Sequence, residues 1–340
     1  MKRHLFGVVV RLLATSSSSS SSSHHHLRLL YEHGYHAGNY ADVVKHTALI
    51  TLLHHMQQKK SPFVYVDTHS GAGGYALSSK ESQQLAEHER GISVFLRNAH
   101  EASHPSMHPS MHPSTQTLLD IIEQASSSTM PLEEGQTIYP GSPMIASSLC
   151  REQDSLLLCE KEAEQFQLLQ HRMMSDGDRG VDSLLLLQEN GYKALKRFEN
   201  LQSNKRALVF IDPPYQMGSD SEQIASLVGF LGKHWRSARV AIWHPVSGRN
   251  RDRADRLYEL VRNAVGDTST TELLATEMYD DDVDDDDDVD ASRDAVGTGI
   301  LLVNPPFGID EELRKLYTSL GGALAAGGGS GNPKIMIQRL

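Results

Sequence analysis

Apolar residues along this chain fall into two patterns. Short continuous runs, Pro62–Val66, Leu156–Cys159, Leu184–Leu187, Ala207–Ile211 and Ile300–Val303, each stop abruptly at a polar, glycine or proline residue. Runs of that length read as strands buried on both faces, as in a parallel sheet. Over 80–99 and 115–126 the apolar positions instead recur at helical spacing. The succession predicts an α/β chain with a doubly wound, Rossmann-like sheet, interrupted at 78–137 by a small helical subdomain over the rim of the site. A Ser-Met-His-Pro repeat near 106–114 separates the two helical stretches and reads as a loop. His104, His108 and His112 recur there every fourth residue, but the interleaved prolines forbid a regular helix. No metal site is expected. Near the end, strands at about 269–279 and 299–303 flank an aspartate run and predict a final hairpin with an acidic loop at 280–294.

The chemistry lies where the strands end. Ala207–Ile211 delivers Asp212-Pro213-Pro214-Tyr215. An adenine N6 amine is a poor nucleophile because its lone pair is delocalised into the ring. Two acceptors, the Asp212 carboxylate and the Pro213 carbonyl, would bond both amine hydrogens and favour a tetrahedral nitrogen as it attacks a methyl group. Proline has a locked φ and no N–H, so such a loop has few alternatives. Tyr215 would stack on the base. A second tetrapeptide, Asn304-Pro305-Pro306-Phe307, follows Ile300–Val303. Ligands of open α/β sheets bind at the carboxyl ends of the parallel strands. If the strand before Asn304 is the antiparallel closing strand, its carboxyl end lies on the opposite rim and Asn304 is structural.

The upstream chain supplies what a methyl donor needs. The first core strand runs into Asp67-Thr68-His69-Ser70-Gly71-Ala72-Gly73-Gly74. This is not the dinucleotide fingerprint, which disfavours an NAD enzyme. The acidic residue two places before His69 and the compact Gly-x-Gly suit S-adenosylmethionine. Leu156–Cys159 ends in Glu160, placed to accept from ribose hydroxyls. Leu184–Leu187 ends near Asn190-Gly191, where adenine recognition would fall.

Further motifs complete a resemblance: His36-Ala37-Gly38-Asn39 through Lys45-His46, Asp67-Thr68-His69, Tyr139-Pro140-Gly141-Ser142-Pro143, Arg151-Glu152-Gln153-Asp154, Asp212-Pro213-Pro214-Tyr215 and Asn304-Pro305-Pro306. Together they resemble the RlmJ family, bacterial 23S rRNA adenine-N6 methyltransferases, over about residues 31 to 320. The resemblance implies a class I S-adenosylmethionine-dependent fold. It implies cofactor contacts at His46, His69, Ser142, Glu160, Asn190, Gly191 and Asp212, with Asp212 also catalytic and Tyr31 meeting the RNA. Lys45, beside His46, is a phosphate or substrate contact. The chain departs from the family in carrying Asn190 where the family has Asp, which loses a charge there. The alternatives are a DNA adenine-N6 methyltransferase, for which no duplex-recognition domain is visible, and an inactive RNA-binding homologue.

Composition adds three expectations. The 340 residues suit one methyltransferase domain, 31–77 with 138–340, acting as a monomer. Two cysteines, Cys150 and Cys159, indicate a reduced compartment. The net charge of −11 suits an RNA enzyme poorly, but nine aspartates fall in 280–290 and leave −2 elsewhere. Basic clusters then stand out, among them Lys193-Lys196-Arg197, Lys205-Arg206 and Arg249-Arg251-Arg253-Arg256. Residues 1–30 are basic, serine-rich and acid-free, with Leu5, Val8, Val9, Leu12 and Leu13 on one apolar face. They read as a transit peptide for a mitochondrion or plastid, with the cytoplasm as the alternative. No stretch is long and apolar enough to span a membrane.

Overall fold

The computed structural model describes residues 9–14, 36–102, 111–127, 137–175, 183–197, 205–215, 218–246, 251–266, 271–279, 297–325 and 333–340. Strands β1 (Val9–Ala14), β2 (Phe63–Asp67), β5 (Ser155–Glu160), β6 (Ser183–Gln188), β7 (Arg206–Ile211), β8 (Ala238–Val246), β9 (Leu273–Tyr279), β10 (Gly297–Val303) and β11 (Ile335–Arg339) form one nine-stranded sheet. Its order is β1-β6-β5-β2-β7-β8-β10-β9-β11. The first six are mutually parallel, and β10 is antiparallel to both its neighbours. From β6 to β9 this is the strand order of the class I methyltransferase fold. The order reverses at β2, so a crevice opens where the carboxyl ends of β2 and β7 diverge.

Two layers of helices cover the sheet because its strands are apolar on both faces. On one face lie α1 (Tyr40–Gln57), α5 (Ser142–Leu149), α6 (Ala163–Ser175) and α10 (Ile309–Leu324). On the other lie α7 (Gly191–Arg197), α8 (Asp220–His234) and α9 (Arg251–Val265). Helix α1 is hidden nearly all round, with 14 of its 18 residues buried, so each of its polar side chains needs a partner. Thr47 Oγ1 donates to the Val43 carbonyl, and Thr51 Oγ1 donates to the Thr47 carbonyl. Asn39 caps the helix through the Asp42 amide.

The insertion comprises α2 (Lys80–Leu85), a 3-10 turn (Glu87–Arg90), α3 (Ile92–Ala102) and α4 (Pro113–Ser127). The periodicity of 80–99 breaks where Ala86 turns left-handed at φ 51°. The insertion's ends are tied together by β3 (Gly74–Ala76) and β4 (Ile138–Pro140), an antiparallel ribbon. Rather than a subdomain over the rim, α3 and α4 form an outer layer on α10 and α1. The cause is apolar: Phe95, Leu118, Ile121 and Ile122 are buried in the core that α1 shares with the sheet. His104 and His108 lie outside the described residues, while His112 Nδ1 accepts from the Ser114 amide at the start of α4. Among the described residues no cluster of metal-ligating side chains occurs, and no helix is long and apolar enough to cross a membrane.

Val9–Ala14, whose spacing suggested an amphipathic face, is instead an edge strand paired from Val9↔Ser183 to Ala14↔Gln188. Its β-branched valines favour that geometry over helix. The aspartate run at 280–290 lies outside the described residues, but its flanking strands β9 and β10 pair as the expected hairpin. Since β9 is parallel to β7, the strand ends at Tyr279 and Gly297 stand on the crevice rim.

Asn304 stands on the opposite rim, because β10 runs against its neighbours. Its backbone is left-handed, φ 55°, and its Nδ2 donates to the Ala238 carbonyl at 3.0 Å. It is a structural corner. Asn304→Ala should lower the unfolding free energy by about 2 kcal/mol, half from the lost hydrogen bond and half from the left-handed backbone. Asn304→Gly, which relieves the backbone, should lose only about 1 kcal/mol. Denaturant midpoints check this; equal losses would show that backbone strain plays no part.

Candidate active site

Helix α1 carries one cation into the crevice. Lys45 Nζ lies 2.7 Å from Asp42 Oδ1 on its own helix and 2.7 Å from Asp212 Oδ2 at the end of β7. Both Lys45 and Asp42 side chains are 3% exposed while that of Asp212 is 14% exposed, so the pair within α1 is hidden from water and the Asp212 carboxylate keeps an accessible edge. Asp42 is held in turn by the Gly38 amide, which donates to Oδ2 at 3.0 Å; Gly38 adopts φ 78°, open to glycine at little cost. The ammonium also sits 5.0 Å from the Trp243 ring centroid, on β8. Among the described residues Asp212 Oδ2 is occupied, while no hydrogen bond is made to Oδ1.

Beyond Asp212, Pro213 is buried, Pro214 is exposed and Tyr215 turns left-handed at φ 51°. A non-glycine residue there costs on the order of 1–3 kcal/mol, and such strain gathers at functional sites. Tyr215 is held by its hydroxyl, which donates to the Trp243 carbonyl at 2.7 Å. Its ring leans on the Trp243 indole, whose Nε1 donates to Thr298 Oγ1.

The glycine loop after β2 forms the adjoining wall. Gly71 and Gly73 adopt φ 57° and φ 83°. The Gly71 amide donates to Glu160 Oε2 at 2.8 Å and the Glu162 amide to Oε1 at 2.7 Å. These bonds fix the Glu160 carboxylate beside the loop, although burial raises its pKa. Asp67 is fully buried and accepts from Ser142 Oγ, the Tyr65 hydroxyl and the His69 amide. Burial lifts its pKa to about 6 against these bonds. His69 packs edge-on against Tyr192, and burial drives its pKa down to about 3, so its ring is neutral. Gly191 begins α7 where a Cβ would lie 2.3 Å from the Thr68 carbonyl, so only glycine lets α7 approach this wall. Asn190 Oδ1 accepts from the Lys193 amide, as an aspartate would.

Of the residues expected from sequence, Asp212 and Lys45 thus touch, Ser142 joins the Asp67 wall, and Glu160, His69, Asn190 and Gly191 stand on the ends of β5, β2 and β6. His46 is buried with Nδ1 2.8 Å from the Tyr139 hydroxyl, steadying the turn that carries Ser142. Tyr31 lies outside the described residues. Sequence reasoning missed Asp42, Trp243 and Glu87. Asp42 had a signal: an acidic residue three places before a lysine in an otherwise apolar helix must pair with it. Trp243 had none. Glu87, in the insertion, bonds His36 Nδ1 and Asn39 Nδ2, each at 3.0 Å, and raises the His36 pKa.

Comparisons with known proteins converge on one family. The profile of "Ribosomal RNA large subunit methyltransferase D, RlmJ" matches residues 60–335. Two proteins named "Ribosomal RNA large subunit methyltransferase J" are similar. That of Escherichia coli K12 is 28% identical over 88% of this chain and 95% of its own. That of Haemophilus influenzae is 29% identical over 86% and 92%. A crystal structure of a Legionella pneumophila protein superposes with a TM-score of 0.68 at 24% identity, over 89% of this chain and 98% of that one, and shares the fold.

Asp67 gives the wall a pH signature. Its folded pKa of about 6 exceeds the usual 3.8, so the folded protein holds this proton more tightly than the unfolded chain. The stability it contributes is present at low pH and is lost as the pH rises through about 6. Between about pH 4 and pH 7 the wild type should lose on the order of 3 kcal/mol more than Asp67→Asn. Urea unfolding of both proteins across that range checks it; parallel curves would overturn the assignment.

Proposed function

We propose that the protein, which belongs to the RlmJ family of ribosomal RNA large subunit methyltransferases, transfers a methyl group to N6 of an adenine in large-subunit rRNA. S-adenosylmethionine, when bound, supplies an electrophilic sulfonium methyl. The residues present fit it: a glycine loop open to a close ligand, a fixed carboxylate at Glu160 for ribose hydroxyls, and the Asn190-Gly191 turn for its adenine.

The observation that carries the reading is the half-occupied carboxylate of Asp212. Lys45 takes Oδ2 and holds the group in one orientation, leaving Oδ1 to accept one N6–H. The Pro213 carbonyl accepts the other. With both hydrogens held, the nitrogen lone pair is turned out of conjugation and aimed at the methyl group. Tyr215 and Trp243, braced against each other, line the side from which the base enters. The target must leave its stack or come from an unstructured segment to reach so deep a position. Positioning of this kind supplies much of the acceleration. Lys45, buried between two carboxylates, acts on the substrate by orienting Asp212 rather than as the phosphate contact expected from sequence, and Tyr31, ahead of α1, serves as an RNA contact.

The test is methyl transfer from labelled S-adenosylmethionine to unmodified large-subunit rRNA, mapped by nucleotide, with duplex DNA alongside. One methylated adenine is expected, and Asp212→Ala should lose about 10³-fold or more in kcat while still binding cofactor. Transfer to duplex DNA alone, or near-normal turnover by the variant, would overturn the reading. The acid-free, serine-rich amino terminus supports delivery to a mitochondrion or plastid. A carboxyl-terminal fluorescent fusion should co-localise with one of them; a diffuse cytosolic signal would refute it.

A further inference from the structure

The rim opposite the crevice holds a group of cations that the chemistry above does not use. Arg239, second residue of β8, and Arg206, first of β7, stand on neighbouring strands, with Leu208 pairing Arg239 in register. Both lie toward the carboxyl end of α1. Arg206 donates to the Met56 and Ser61 carbonyls, yet its Nε is buried without a partner. Arg239 forms no hydrogen bond or ion pair with any described residue, and its Nε is likewise buried and unsatisfied. Arg239 disfavours the charge on Arg206, whose pKa is lowered by burial first and then by this neighbour, while burial alone lowers that of Arg239. Lys59, Lys205 and Arg236 stand exposed on the same rim. Of the nearby carboxylates, Asp154 is saturated by Arg151, Glu312 binds Lys315 and Asp310 binds Arg339, while Glu311 stands exposed in the first turn of α10.

Two part-buried guanidinium groups on neighbouring strands, with no carboxylate bonded to either among the described residues, leave positive charge poorly compensated at this rim. An anion against this rim would supply the missing counter-charge. Beside them Phe307 projects from the turn after β10, 97% exposed, on a backbone pinned by left-handed Asn304 and Gly308. A cationic rim next to a bare aromatic ring fits a nucleic-acid strand, phosphate on the arginines and base on the ring.

We propose that this rim is a second RNA-binding surface, in which Arg239 and Arg206 take a backbone phosphate and Phe307 stacks a base. It rests on the reading of the protein as an rRNA enzyme and adds where a second segment of that RNA binds. The two sites are separated by the length of β7, about 20 Å. A short stem-loop bearing the target adenine would reach only the crevice, and a longer folded rRNA fragment would reach both.

The test uses the full chain and its Arg239→Ala, Arg239→Lys and Phe307→Ala variants with both RNAs. Arg239→Ala should raise KM for the long fragment about tenfold, leave kcat unchanged, and reduce the salt slope of binding by about one. Arg239→Lys should restore most of the loss. Phe307→Ala should weaken binding of the long fragment without changing the slope. None should affect the stem-loop. Because it removes an unpaired cation, Arg239→Ala should melt no lower than wild type, which separates this outcome from misfolding. Unchanged KM and slope on the long fragment would overturn the surface. So would stabilisation by inorganic phosphate, lost in Arg239→Ala, with unchanged RNA binding, since that marks a small-anion site. If wild type methylates neither RNA, the rRNA reading itself fails and takes the proposal with it.

Discussion

One ammonium group, Lys45 Nζ, joins the two halves of the site. It bonds Asp42 within α1 and Asp212 at the end of β7, 167 residues further along the chain. Losing one partner of a buried ion pair typically costs about 3–5 kcal/mol, because the remaining charge is stranded. Here a missing lysine would strand two carboxylates facing each other. The triad therefore sets how deep α1 sits on the sheet, and α1 is the helix against which α4, α5 and α10 pack. It also leaves Asp212 Oδ1 without a hydrogen bond among the described residues. Fold and chemistry share the same contact.

Two tetrapeptides of similar pattern show how the sheet assigns roles. Asp212-Pro213-Pro214-Tyr215 and Asn304-Pro305-Pro306-Phe307 each end a buried strand, yet they stand on opposite rims because β10 is antiparallel. The backbone strain falls differently in each. In the first it lies at the aromatic residue, Tyr215, whose ring is turned back onto Trp243. In the second it lies at the amide, Asn304, and the aromatic Phe307 is left in solvent. Asparagine tolerates the left-handed region better than most residues, so the strain at Asn304 is small. At Tyr215 it is larger and is maintained by the hydroxyl bond to Trp243.

The strands were readable because each is a short apolar run buried on both faces, and their order alone placed Asp212 in the crevice and Asn304 opposite it. The glycine loop, Glu160 and Asn190-Gly191 were readable for the same reason: they sit at strand ends. Residues on α1 were harder. A helix buried all round has no polar face to orient, so periodicity could not show that Lys45 points at Asp212 while His46 points at Tyr139. Trp243 sits mid-strand among apolar neighbours and gave no sign of its place beside Lys45. Val9–Ala14 misled because apolar residues at 5, 8, 9, 12 and 13 satisfy a helical template, while its pairing with β6 is a contact made across more than 170 residues. Long-range pairing of that kind leaves no local trace.

The insertion changes meaning once its contacts are known. By sequence it is an interruption between β3 and β4, and its outer helices do no more than thicken the layer over α1 and α10. Its 3-10 turn is different. Glu87 grips His36 and Asn39, and Gly91 lies against the Gly38 and Asn39 backbone so closely that a Cβ would sit 2.2 Å from the Gly38 carbonyl oxygen. Asn39 caps α1 and Gly38 holds Asp42, which holds Lys45, which holds Asp212. A chain of direct contacts thus runs from the insertion to the Asp212 carboxylate. The segment that looks most dispensable in sequence fixes the amino-terminal end of the helix on which the site is built.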